Sequence, residues 1–275
     1  MHGDFIWYEL MTTDADAARD FYQRVVGWTI EAKPSGPIDY RMVTGTEGNV
    51  AGLMPLTPEM TAGGAKPVWL GYVAVDDVDA TVAAVEQAGA KVQMPATDIP
   101  DVGRIATVAD PQGATFYIMT PTPPADQPDA QSNAFSYERP RVGHCAWNEL
   151  ATTDPAAALG FYGRHFGWVE DGAMDMGEFG AYTFLRHAGR APDGSPMGHG
   201  MLGAVMGMMP GAPAPMWNHY FRVADIDAVV AAIDAAGGRV THGPNQIPGG
   251  DYSLNAVDPQ GAALSLVGAR KGEQP

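Results

Sequence analysis

Over Phe5–Met11, Phe5, Trp7, Glu9 and Met11 fall on one face and Ile6, Tyr8 and Leu10 on the other, the period of a β-strand. Both faces carry large apolar residues, so both are expected to be covered. The period then lengthens. Asp14 suits an N-cap, because its carboxylate accepts from the open amides of a first turn. Phe21, Tyr22, Val25 and Val26 follow at helical spacing until Gly27. Trp28–Glu31, Tyr40–Thr44 and Val50–Pro55 predict three more strands. After the Gly/Pro-rich turn Thr61–Pro67 the order restarts, with a strand at Val68–Val75. Asp76 or Asp77 caps a helix bearing Val78, Val82 and Val85, which ends at Gly89. Strands are predicted near Lys91–Met94, Arg104–Ala109 and Thr115–Thr120. The last two are joined by Asp110-Pro111-Gln112-Gly113, a type I turn sequence.

The pattern occurs twice. Trp7, Glu9-Leu10, Asp14, Phe21-Tyr22 and Gly27-Trp28 return 140 residues later as Trp147, Glu149-Leu150, Asp154, Phe161-Tyr162 and Gly167-Trp168. Asp154-Pro155 adds a proline at the first helical position, a strong start signal. Further on the offset is 148: Trp69, Asp77, Gly89 and Asp110-Pro111-Gln112-Gly113 match Trp217, Asp225, Gly237 and Asp258-Pro259-Gln260-Gly261. A longer insertion between Ala181 and Met206 accounts for the difference. The expected division is a first domain over 1–120, a Pro-rich linker over 121–140 and a second domain over 141–270. Fully extended, such a linker reaches roughly 65 Å. That lets the domains pack as an intramolecular pseudo-dimer, and leaves further oligomerisation open.

Composition narrows the function classes. The 275 residues are 45% hydrophobic and 17% charged, with a formal net charge of -16. So acidic a surface repels phosphate backbones and anionic lipid, which predicts neither nucleic acid nor membrane as partner. No apolar run nears the roughly 20 residues of a membrane span. Met1-His2-Gly3-Asp4 lacks a signal peptide's basic and apolar regions, so the expected location is cytoplasmic. The single cysteine, Cys145, excludes an intramolecular disulfide framework, and its expected role is a buried thiol.

Two strand-helix-three-strand halves per domain, an Asp seven residues before Phe-Tyr and an Asp-Pro-x-Gly turn before the last strand resemble the vicinal oxygen chelate superfamily. That superfamily includes glyoxalase I, bleomycin-resistance proteins and extradiol dioxygenases, and the resemblance spans about Phe5 to Val267. It implies an α+β fold of two tandem domains, each of two βαβββ halves forming a curled, cup-shaped mixed sheet. Metal-using members place His, Glu or Gln at set strand positions around an ion. The corresponding positions here are Trp7, the neighbourhood of Leu70, and Tyr117 in the first domain. In the second they are Trp147, the neighbourhood of Asn218, and Ser265. Trp and Leu offer no donor, and neutral Tyr or Ser is a poor ligand beside imidazole or carboxylate. No cofactor is therefore expected.

Glu9 and Glu149 stand two residues beyond Trp7 and Trp147, on the same face of their strands. A carboxylate beside an indole wall is a candidate general base. A structural pair with an arginine such as Arg104 or Arg222 explains it equally. Arg104 and its counterpart Tyr252 follow Ile-Pro loops near the expected mouths, where Arg104 would clamp an anion or pair with an acid. Most histidines fall in the second domain: His144, His187, His199, His219 and His242. His219 is one residue from a ligand position, so a register change would bring it beside Glu149 as part of a divalent metal site. Met197, Met201, Met206, Met208, Met209 and Met216 suit either an adaptable apolar pocket or an ordinary core. Trp69 and Trp217 face away from Leu70 and Asn218, which fits packing as well as stacking on a ligand.

The leading expectation is a small-molecule-binding protein of the glyoxalase and bleomycin-resistance type, without the usual metal. It would sequester or transform an apolar or aromatic ligand between Trp7, Glu9, Tyr117, Trp147, Glu149 and Ser265, and as an enzyme it would be a lyase or isomerase. Two alternatives remain: a metal-dependent glyoxalase-like lyase or dioxygenase using atypical ligands in the second domain, and a non-catalytic scaffold with vestigial cups.

Overall fold

The computed structural model describes residues 2–34, 38–123, 125–127, 130–137, 141–188 and 200–271. The first repeat runs β1 (Phe5–Thr12), α1 (Ala15–Val25), β2 (Thr29–Ile30), β3 (Arg41–Gly45), β4 (Gly48–Pro55), α2 (Pro58–Ala62), β5 (Val68–Ala74), α3 (Val78–Gln87), β6 (Lys91–Ile99), β7 (Gly103–Ala109) and β8 (Thr115–Pro121). The second runs β9 (Cys145–Thr152), α4 (Pro155–Phe166), β10 (Trp168–Asp175), β11 (Ala181–His187), β12 (Met201–Gly207), β13 (Met216–Val223), α5 (Ile226–Ala235), β14 (Arg239–Gln246), β15 (Tyr252–Val257) and β16 (Ala263–Gly268).

Each repeat forms one eight-stranded sheet, in the orders β2-β3-β4-β1-β5-β8-β7-β6 and β10-β11-β12-β9-β13-β16-β15-β14. Parallel pairs (β1 with β4, β5 with β8) combine with antiparallel hairpins, so the sheets are mixed and the fold is α+β as expected. The four long helices begin where the sequence places caps. The carboxylates of Asp14, Asp77, Asp154 and Asp225 accept from first-turn amides, the first three at 2.9, 3.0 and 3.0 Å. Among the described residues no helix is long and apolar enough to cross a membrane.

The strand register refines how the repeats align. Glu9 and Met42 both pair with Gly52, whereas Glu149 and Phe184 both pair with Ala204. Met42 therefore corresponds to Phe184 at an offset of 142, and Gly52 to Ala204 at 152. Two extra residues lie in the β10–β11 hairpin, ahead of most of the insertion expected after Ala181. Ten more lie between β11 and β12. The offset falls back to 148 by β13, because α2 has no counterpart after β12.

Two compact units divide the chain, and each draws on both repeats. One comprises Met1–Ile6, Gly71–Ser132 and Asn148–Trp217; the other comprises Trp7–Leu70, Asn133–Trp147 and Asn218–Pro275. In the first, Phe5, Tyr162, Trp168 and Trp217 pack ring to ring, with Tyr162 and Trp168 stacked at 5.1 Å. In the second, Trp28 and Trp69 each lie 4.9 Å from Phe221, with Tyr8 at 5.5 Å. Trp69 and Trp217 are thus core residues. The second unit also holds the end of the expected linker: Phe135 bridges Cys145, Ala134 is fully buried, and Trp28 Nε1 donates to the Gly143 carbonyl at 2.7 Å. Cys145 is buried there and its thiol is pushed up to about 12 by burial, so it is a packed side chain rather than a nucleophile.

Candidate functional site

The face of β1 bearing Trp7 and Glu9 belongs to the second unit. Trp7 is half-buried and its indole N–H donates to the Tyr40 hydroxyl at 2.8 Å. That hydroxyl lies over Gly52, the parallel neighbour of Glu9, and a Cβ on Gly52 would stand 2.0 Å from it. The absence of a side chain at residue 52 thus lets the hydroxyl end of the Tyr40 ring approach the sheet there. With this ring beside it, Glu9 is only 3% exposed.

In the second repeat Glu149, β11 and β12 lie in the first unit, whereas Trp147 belongs to the second. Burial alternates along β9 and β11: Asn148, Leu150, Thr183 and Leu185 are buried, while Glu149, Tyr182 and Phe184 are half-exposed. Glu149, Ala204 and Phe184 stand in one row across three strands. The Tyr182 hydroxyl donates to Glu149 Oε2 at 2.9 Å, and its ring meets Phe184 edge-on at 5.8 Å. Tyr182 is the register counterpart of Tyr40. At the offset of 140 visible in the sequence, Tyr40 falls opposite Gly180, so the sequence repeat does not pair it with Tyr182. Sliding the alignment by two residues after β10 would have found it.

The later strand positions differ between the repeats. Tyr117 stacks on Tyr72 at 4.2 Å and 13°, next to Thr107, and all three are buried. Ser265 is buried beside Tyr220, and its hydroxyl accepts from Asn255 Nδ2 at 3.2 Å. Tyr220 joins Ala146 and Val267 in an apolar cluster against which Trp147 and Ile247 pack. Asn218 is half-buried two residues before Tyr220, on the same face of β13. Of the two positions placed only by neighbourhood, Leu70 is buried in β5.

Three other candidates lie on opposite strand faces. Arg104 is three residues from Thr107 along regular β7, so it faces away from Tyr117. Its guanidinium bonds Asp79 of α3 at 2.7 and 2.8 Å and Asp98 at 2.9 Å, which holds the Asp79 carboxyl below its ordinary range. Tyr252 likewise faces away from Ser265, beneath the Arg270 guanidinium at 4.0 Å; Arg270 in turn bonds Asp227 of α5. His219 shares its face of β13 with Trp217 and Phe221 rather than Asn218, and its ring meets Tyr8 at 4.8 Å. Burial lowers its pKa to about 3, so the imidazole is neutral. Arg222, considered as a partner for Glu9, pairs with Asp251 at 2.8 Å.

The other histidines have structural neighbours. His144 Nδ1 meets the Asn133 carbonyl at 2.7 Å, His187 pairs with Asp4 at 2.8 Å, and His242 bonds Asn245. His199 and Met197 lie outside the described residues. Met201 and Met206 are buried in β12, whereas Met209 is 40% exposed.

The residues at the ion-ligating positions of the resembled fold do not fit a transition metal. Trp7, Leu70 and Trp147 lack a donor lone pair, and Tyr117, Asn218 and Ser265 offer only neutral oxygen or amide groups. Among the described residues no group of three or more His, Cys, Asp or Glu is placed to hold an ion elsewhere.

Comparison with known proteins agrees with this architecture. Across 95% of the chain and 93% of the relative, 36% of residues are identical to the protein named "Putative glyoxylase CFP32" of Mycobacterium tuberculosis. The anthracycline biosynthesis protein DnrV of Streptomyces peucetius is 29% identical over 97% of the chain and 93% of its own length. Two solved structures share the fold at low identity. The 2,2',3-trihydroxybiphenyl 1,2-dioxygenase of Sphingomonas wittichii has a TM-score of 0.63 at 15% identity, covering 98% of this chain and 91% of that one. The Mn(II)-bound glyoxalase of Novosphingobium aromaticivorans has a TM-score of 0.61 at 17% identity, covering 97% and 82%. The family profile matches residues 5–118 and 141–266, one copy per repeat, and the chain belongs to the Glyoxalase/Bleomycin resistance protein/Dioxygenase superfamily.

Proposed function

We propose that the protein binds a small, largely apolar or aromatic molecule on the sheet faces bearing Trp7 and Glu9 and Trp147 and Glu149, and sequesters or transforms it without a metal at the family's usual positions. One observation carries this reading. The positions that correspond to the family's ion ligands hold Trp7, Leu70 and Tyr117 in one repeat and Trp147, Asn218 and Ser265 in the other, apolar or neutral side chains in place of imidazole and carboxylate. The name of DnrV, an anthracycline biosynthesis protein, supports a small organic ligand.

If the ligand is transformed, the reaction is an isomerisation or lyase-type elimination in which a carboxylate takes a proton from a carbon acid. Glu9 and Glu149 are the candidate bases on these faces. The experiment is elemental analysis of untagged protein before and after incubation with Ni, Zn, Fe or Mn, followed by calorimetric screening of aromatic natural products. Below about a tenth of an equivalent of bound metal, together with saturable binding of an aromatic ligand, is the expected result. Stoichiometric metal would overturn the metal-free reading. Failure of every ligand to raise the unfolding temperature would favour a scaffold.

A further inference from the structure

The two repeats place corresponding tyrosines on corresponding strands, and each hydroxyl bonds a side chain of its repeat's first strand. Tyr40 accepts from Trp7, whereas Tyr182 donates to Glu149. The Tyr40 hydroxyl occupies the space above Gly52 where a Cβ would stand 2.0 Å away, and in the second repeat Ala204 supplies that Cβ. In that repeat the Tyr182 hydroxyl meets the Glu149 carboxylate at 2.9 Å. The exposures differ at the carboxylates alone: Glu9 is 3% exposed and Glu149 is partly exposed, while Tyr40 and Met42 are partly exposed like their counterparts Tyr182 and Phe184.

We infer that Glu149 and Tyr182 together form a recognition site for the hydroxyl group of an aromatic ligand, and that the second repeat's face, rather than that of Glu9, reads this group. The inference rests on the ligand-binding reading and deepens it. An ionised carboxylate offers about four lone-pair sites, so it accepts from a ligand hydroxyl while still accepting from Tyr182. The tyrosine bond fixes the orientation of the carboxylate edge. The Tyr182 and Phe184 rings supply an edge-to-face aromatic wall for the rest of the ligand. Such a site accepts an aromatic alcohol or phenol and rejects the methyl ether of the same skeleton, which has no proton to donate.

The test is equilibrium dialysis of the full-length protein at neutral pH with 2-naphthol and 2-methoxynaphthalene, repeated on Glu149→Gln and Tyr182→Phe. The wild type is expected to bind 2-naphthol about tenfold more tightly than the ether, the usual effect of a hydrogen bond to a charged group. Both variants should lose most of that ratio while keeping their affinity for the ether, which a folding defect would lower equally for both probes. Equal binding of the two probes by the wild type, or an unchanged ratio in both variants, overturns the assignment of Glu149 and Tyr182. Failure of the wild type to bind either probe overturns the ligand-binding reading beneath it.

Discussion

The Tyr22 hydroxyl donates to Asp258 Oδ2 at 3.0 Å, and the Tyr162 hydroxyl donates to Asp110 Oδ2 at the same distance. Each tyrosine sits on the first helix of one repeat, and each aspartate opens the Asp-Pro-Gln-Gly turn of the other. The aspartate's second oxygen gathers three turn amides at 2.8 to 2.9 Å. The tyrosine oxygen accepts from Trp69 or Trp217, at 2.9 and 3.0 Å. Two motifs that mark the family in sequence are therefore halves of one buried network. Burial raises the carboxyl pKa of both aspartates, and the turn amides and the tyrosine oppose that rise.

Tyr22→Phe removes a donor from a buried carboxylate and an acceptor from a buried indole. A loss of about 2–3 kcal/mol in urea unfolding is expected, with Tyr162→Phe alike. A loss under about 0.5 kcal/mol in both would show that the network does not hold these turns.

His219 makes stability depend on pH. Its folded pKa is depressed from 6.5 to about 3 by burial. The unfolded chain thus binds a proton that the folded one refuses, and the stability present above pH 6.5 is lost as pH falls toward 3. By pH 4 the loss from this group is of order 3 kcal/mol. His144, also lowered by burial, adds in the same direction. Asp110 and Asp258 act oppositely, since a raised carboxyl pKa gives stability that is full below 3.8 and lost as pH rises through the folded value. Unfolding free energies at pH 7 and pH 4 should fall less steeply in His219→Gln than in the wild type, and equal slopes would refute the assignment.

Gly52→Ala should expel the Tyr40 ring and break its bond to Trp7, at a cost of about 1–3 kcal/mol. In Tyr40→Phe the bond is already gone but the ring remains, so most of the clash persists. In Tyr40→Ala the space is empty and the added methyl should cost little. A double-mutant cycle of Gly52→Ala with Tyr40→Ala is therefore expected to show at least about 1 kcal/mol of coupling, and additivity would mean that Tyr40 does not lie there.

Incubation with Ni, Zn, Fe or Mn should leave the midpoint of thermal unfolding within about 1 °C of the untreated protein, because ligand-free strand positions give an ion no preference for the folded state. A rise that grows with metal concentration would contradict the donor chemistry of Trp7, Trp147 and Ser265.

Caps and periods were legible because they are local: Asp14, Asp77, Asp154 and Asp225 cap helices where the sequence places them. Strand lengths were less so. β6 continues to Ile99, past the expected end at Met94, because register shifts on either side of Met94 carry the strand through Pro95. Arg104 and Tyr252 were expected at the mouths, but pleat parity turns both toward helices, and parity is readable only once the strand register is known. Tyr182 was hidden by two extra residues in a hairpin. That shift is too small to see in a repeat with few identical positions, yet large enough to set a glycine opposite a tyrosine.

Each compact unit takes strands from both repeats, and this governs how the chain can be divided. A gene cut near residue 130 would yield two fragments, each carrying half of both hydrophobic interiors and one member of each tyrosine–aspartate pair. Neither fragment encloses a core of its own. Fragment complementation should therefore recover the fold only when both pieces are made together, although the sequence reads as one domain written twice.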